Sequence, residues 1–132
     1  MPELRTDYPH VEQELGAWLT ADTGRRVYTT TPPTLEEHLP AYKAVVVGGR
    51  DGRSIDRAPL VEVEAFASTR SGAWDAARDA DRSLRRLAAS GTSNWYVDDV
   101  ECVFQPAVDD YENPDVVKIT ATYALTVRPI RA

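Results

Sequence analysis

The stretch Val116–Arg128, VVKITATYALTVR, decides the fold. Val117, Ile119, Ala121, Tyr123, Leu125 and Val127 alternate with Lys118, Thr120, Thr122, Ala124, Thr126 and Arg128. Side chains of a strand point alternately to its two faces, so this spacing describes a strand with one packed face and one polar face. That pattern belongs to antiparallel sheets covered on one side. Working back along the chain, Leu60–Ser68 alternates in the same way, with Val61, Val63, Ala65 and Ala67 on one face and Glu62 and Glu64 on the other. Tyr42–Val47 reads as a further strand. Its three consecutive valines predict burial on both faces and a central position. Gly48-Gly49 is expected to end it, leaving a long, charged loop from Gly48 to Pro59, where an ordinary hairpin uses two to five residues. Trp95–Gln105 is read as a bulged strand ended by Pro106, and Arg25–Thr30 as a short one.

Two segments have helical spacing. In Asp7–Ala21, Val11, Leu15, Trp18 and Leu19 form one apolar stripe, with Asp7 as N-cap, Pro9 in the first turn and Gly24 as the stop. Ser71–Ala89 is the stronger helix. Trp74, Ala77, Leu84, Leu87 and Ala88 share a side, acids precede bases along it, and Gly91 follows as a stop. Thr34 and Glu37 have capping-box spacing before a single turn, Leu35–Leu39, that Pro40 closes and whose two leucines face the core. The expectation is one α+β domain over residues 1–132: a mainly antiparallel sheet of about four to five strands, two helices packed on one face, in the order α-β-β-β-α-β-β.

The composition narrows the function. With 42% hydrophobic and 27% charged residues the chain reads as a soluble globular domain. Acidic residues outnumber basic ones, 21 to 15, for a net charge of -6, which argues against a tight DNA binder with a basic face. No apolar run approaches twenty residues and no apolar core follows the first residues, so neither a transmembrane helix nor a secretory signal is expected. Cys102 has no partner for an internal disulfide, which suits a reducing cytoplasm, and it reads as a small apolar packing group.

Catalytic patterns are lacking. His10 and His38 have no second His or Cys at ligand spacing, and Glu14 four residues after His10 is a weak arrangement, so no metal site is expected. Carboxylate pairs such as Asp98-Asp99, Asp109-Asp110 and Glu36-Glu37 read as solvated. The glycines of GGRDG precede a strand rather than a helix, so no helix terminus waits for a phosphate. No cofactor, metal or catalytic residue is assigned.

The order of elements carries a resemblance. DYPHVEQELGAWL, then VYTTTPPTLEEHLPAYKAVVVGG, then IDRAPLVEVEAFASTRSGAWDAARDADRSL, and finally YENPDVVKITATYALTVRP together resemble tail terminator proteins of long-tailed bacteriophages, of the kind found in phages of actinobacteria. The likeness covers roughly residues 7 to 129 and lies in the order of segments, not in any one motif. It implies a hexameric ring on the head-proximal end of the tail tube, which ends tube growth and presents a surface for head–tail joining. Its partners would be copies of itself, the tail tube protein and a head–tail connector or stopper protein. DNA would pass through the channel without specific binding, and no membrane is involved. The protein would be assembled in the host cytoplasm and reside in the virion tail or neck. The neighbouring reading is another neck protein, a stopper or tail-completion protein; a small cytoplasmic enzyme or ligand-binding domain is the alternative of a different class. Under the terminator reading the Gly48–Pro59 loop is expected to be mobile in the free subunit and to order on assembly. Arg50, Asp51, Arg53 and Asp56 would set register there by charge. Trp95 and Tyr96 are candidate interface aromatics. Asp98, Asp99, Asp109 and Asp110 are candidate channel-facing acids that keep DNA from sticking.

Overall fold

In the computed structural model, residues 6–51 and 56–131 are described. The elements in chain order are β1 (Thr6–Asp7), α1 (Val11–Thr23), β2 (Arg26–Tyr28), a 3-10 turn (Leu35–Glu37), β3 (Ala41–Asp51), β4 (Arg57–Ala67), α2 (Arg70–Leu87), β5 (Ser90–Gly91), β6 (Tyr96–Asp109), β7 (Val117–Val127) and β8 (Ile130–Arg131). Six strands make the main sheet in the order β2-β3-β4-β7-β6-β5, while β1 and β8 form a separate two-stranded ribbon. The fold is the expected α+β arrangement with two helices. The sheet has six strands, because the short β5 joins the five that the sequence predicts, and it is mixed: β2 pairs with β3 in parallel, and every other neighbouring pair in it is antiparallel.

The alternation of β7 places Ile119, Ala121, Tyr123, Leu125 and Val127 in the core, as its sequence predicts. They meet Val61, Val63, Ala65 and Ala67 of β4 and the small face of α2. That face is built from Ala73, Ala76, Ala77 and Ala80, so the alanines bring the helix backbone close to the sheet as well as favouring the helix. Helix α1 lies beside it through Leu15 and Leu19, and the Trp18 indole N–H donates to the Ser83 carbonyl of α2 at 3.1 Å. Several polar groups that enter this layer are paired, while the Trp95 indole N–H is buried without a hydrogen-bond partner among the described residues. The Tyr42 hydroxyl donates to the Ala76 carbonyl, and Arg25 donates to Tyr42 (3.1 Å) and to Asp79 (2.8 Å). The Tyr123 hydroxyl donates to Asp81 at 2.8 Å, and burial, with that carboxylate beside it, pushes its pKa well above the usual tyrosine range.

The opposite sheet face is not simply polar. Phe66 and Ala41, cross-strand partners, sit there with Leu35 and Val116 in a second buried cluster flanked by Leu39, Tyr28 and Tyr111. The rings of Phe66 and Tyr111 meet edge to face at 5.3 Å. This cluster is what the Leu35–Leu39 segment packs on.

Several boundaries differ from the expectations for local reasons. Helix α1 starts at Val11, because His10 is its N-cap: the imidazole Nδ1 accepts from the Gln13 N–H at 3.1 Å, while Asp7 belongs to β1. Gly24 does end α1, in the left-handed conformation (φ 73°) that glycine adopts without strain. Thr34 makes no side-chain cap, so the turn after it stays a single 3-10 turn. Helix α2 is capped by Thr69 and stops at Ala88, with Ala89 at positive φ, whereas Gly91 lies in β5. Pro106 does not end β6, which continues to Asp109, because β5 pairs only with Tyr96 and Val97 and the missing proline amide is not required by an outer neighbour.

The largest correction concerns Gly48–Pro59. Strand β3 runs through Gly48-Gly49, and Gly48, Gly49, Arg50 and Asp51 pair with Leu60, Pro59, Ala58 and Arg57. The presumed loop is mostly a continuation of the sheet, with a register shift between Val46 and Gly48. Gly49 is required there: φ is +134°, and a Cβ would lie 2.6 Å from the Ala58 carbonyl oxygen. Nor are the three valines buried on both faces. Val46 and Val47 are exposed, because β2 covers β3 only along Ala41–Lys43.

Candidate assembly surface

The sheet is deep in its middle and thin at both sides. Strands β4 and β7 are each paired on both edges. Among the described residues, and beyond the reach of β2, the outer edge of β3 has no strand partner from Ala44 to Asp51, and β6 has none from Asp98 to Asp109. The Val46 N–H on the β3 side is satisfied by helix α1, donating to Glu12 Oε2 at 2.8 Å.

The extended β3–β4 hairpin holds several of the residues singled out from the sequence. Arg50 and Asp51 are exposed on it, and Asp51 lies 3.8 Å from Arg57 across the pair. Asp56 is half-buried, and Arg53 lies outside the described residues. The Arg57 guanidinium stacks over the Tyr8 ring, 3.6 Å from its centroid, tying the hairpin to the segment before α1. Between them is an open cavity of about 680 Å³, walled by Pro9, Val11, Val46, Pro59 and Val127 with His10, Glu12 and Arg50 at its polar margin. On the opposite sheet face a smaller groove of about 380 Å³ runs between Arg50 and Ala58 on one side and Asp99, Glu101 and Val103 on the other.

The two aromatics part company. Trp95 is 1% exposed and belongs to the main core, so the folded subunit offers no surface through it. Tyr96 is half-buried and carries Arg128 over its ring at 4.4 Å. The four acids divide as well. Asp98 accepts from Arg128 in a two-pronged pair at 2.7–3.0 Å. Asp109 is held by Lys118 at 3.3 Å and accepts from the Thr120 hydroxyl at 3.2 Å, and the Lys118 ammonium holds its carboxyl below the usual range. Asp99 and Asp110 are exposed at opposite ends of β6. Four arginines of α2 make ion pairs, Arg78 with Asp75, Arg82 with Asp79, Arg85 with Asp81 and Arg86 with Asp22 of α1.

Sequence reasoning missed the apolar edge. Val103, Phe104 and Val108 of β6 are exposed, Phe104 at 68%. The signal was present in YVDDVECVFQPAVD: a proline inside a strand marks an edge, and the segment holds four acids and no base. Among the described residues no group of three or more His, Cys, Asp or Glu side chains could hold a metal ion, and no helix is long and apolar enough to cross a membrane.

No protein-family model matches the chain, and no curated protein matches it. A solved structure does. The fold is similar to that of a chain in the virion of a native gene transfer agent particle, with a TM-score of 0.62 over 92% of this chain and 95% of that one. The two share 15% of their residues, so the likeness is one of fold.

Proposed function

We propose that this protein is a structural component of a phage-like particle, and specifically a tail terminator: a six-membered ring that caps the head-proximal end of the tail tube and offers the surface for head–tail joining. The observation that carries this reading is the fold likeness to a virion chain across nearly the whole of both chains. The sequence resemblance points the same way. The role asked of the protein is contact geometry, not chemistry. The extended β3–β4 hairpin, with Arg50, Asp51 and Asp56, is the part that reaches a neighbouring subunit or the tube. Asp99 and Asp110 are the exposed acids that would repel DNA phosphates along a channel.

Sedimentation from dilute to concentrated protein tests the reading, alone and with purified tail tubes. A hexamer of the 14.6 kDa chain sediments at about 88 kDa. That species, or a hexamer that forms only with tubes and sits on one end of them, is expected. A monomer that binds no tube end would overturn the terminator role.

A further inference from the structure

Resting on the ring reading above, we propose that subunits join edge to edge: the open edge of β6 in one copy pairs, antiparallel, with the open edge of the β3 hairpin arm in the next copy. Three observations support this. First, six large apolar residues are exposed among those described, and five lie on these two strands: Val46 and Val47 on β3, Val103, Phe104 and Val108 on β6. Long open edges with apolar side chains are templates for another strand, and monomeric proteins blunt them. Second, the charges complement each other. Strand β6 carries no basic residue and four acids, of which Asp99 and Glu101 are exposed while Asp98 and Asp109 pair with Arg128 and Lys118; the open arm of β3 from Val47 on carries Arg50 beside Asp51, which lies 3.8 Å from Arg57. Pairing β6 with a second β6 would set acid against acid, which costs stability. That disfavours a twofold dimer and favours a head-to-tail contact, which closes into a ring when the rotation permits.

Third, the strand directions fit. Three antiparallel steps, β3 to β4, β4 to β7 and β7 to β6, leave β6 antiparallel to β3 within one sheet. Rotation about an axis along the strands preserves those directions, so β6 meets the neighbour's β3 in antiparallel sense. Glu12 already occupies the Val46 N–H, so pairing starts beyond it, at Val47 and along the arm.

The test is a disulfide scan in the full chain with Cys102→Ser. Chains carrying Val47→Cys are mixed with chains carrying a single cysteine substitution at each position from Glu101 to Gln105, then oxidised. Paired strands bring Cα atoms within bridging distance only in register, so yields should rise and fall at alternate positions. A chain with Val47→Cys and the best-yielding partner should give a covalent ladder ending at six. Phe104→Asp, at an exposed site, should fold normally and weaken association by about tenfold or more. Bridges within a β6-cysteine sample alone would mean a twofold contact and overturn the proposal. A species of about 88 kDa without bridges at any of the five positions would overturn it while leaving the ring intact. No bridges at any of the five positions when the oxidation is repeated with purified tail tubes present would also overturn it, and the tube-binding run decides the ring separately.

Discussion

Strands β7 and β6 are hydrogen-bonded neighbours of 11 and 14 residues, yet they are built to different rules. Strand β7 has a strand on each side and a helix above it. From Lys118 on it alternates buried and half-buried residues without a break. Strand β6 has β7 on one side and, past Val97, no strand among the described residues on the other. Its register with β7 shifts three times, it contains Pro106, and most of its side chains are exposed. Burial on one face punishes a one-residue slip by turning every apolar side chain outward, so β7 is held to strict alternation. An edge strand escapes that constraint, and its irregularities and charges are open to a role in recognition instead.

Truncation should separate the two strands most sharply. Leu125→Ala removes a fully buried side chain of β7 and is expected to cost about 2–5 kcal/mol in urea unfolding. Phe104→Ser removes a larger side chain from β6 but leaves stability within about 0.5 kcal/mol, because the ring is already in water. Equal losses would show that Phe104 packs within the subunit and would remove the ground for treating β6 as a contact surface.

What was legible in the sequence follows the same division. The β7 alternation, the Val11–Leu15–Trp18–Leu19 stripe and the Gly24 stop were readable because periodicity and caps are local properties. The hairpin was misread for a nonlocal reason. Gly48-Gly49 has the composition of a turn, but here glycine permits positive φ within a strand and the close approach of Ala58 and Pro59. Val45–Val47 looked central because a valine run says nothing about how far the neighbouring strand extends, and β2 stops at Tyr28. The candidate site was legible in part. Arg50 and Asp51 do lie exposed on the hairpin, whereas Trp95 proved to be core, and no local pattern distinguishes a buried tryptophan from one at an interface.

Gly49→Ala tests whether the hairpin arm is part of the sheet or a separable extension of it. The substitution forces a Cβ against backbone at a φ unsuited to an L-residue, so a cost of about 1–3 kcal/mol is expected. Hydrogen exchange should quicken at Arg50 and Asp51 while the β7 amides keep their protection. Loss of protection in β7 as well would mean that arm and sheet unfold as one unit. A smaller effect is expected from Asp99→Asn combined with Asp110→Asn. Folding should be unchanged, and, if the proposed ring forms, its retention of DNA should increase at low salt. Unchanged retention would place these acids away from the channel.

The smallest expected effect lies on β4, which takes no part in the open edges. Glu62 sits on the face opposite the main core, two residues before Glu64 on the same strand and across from Val45 and Thr122. Burial, and then the nearby Glu64 carboxylate, raise its pKa above the usual glutamate value. The folded protein therefore binds this proton more tightly than the unfolded chain, and stability falls as pH rises from the ordinary glutamate range through the raised value. Glu62→Gln removes the charge that folding must desolvate. It should raise the melting temperature slightly at pH 7 and have no such effect below the ordinary glutamate range, where the wild-type side chain is already neutral. Thermal melts of both proteins across pH 3–8 check this. A gain that persists unchanged at the acid end would show that shape, not charge, is responsible, while a loss at pH 7 would show that the attraction of Glu62 to Lys118 and Lys43 outweighs its burial.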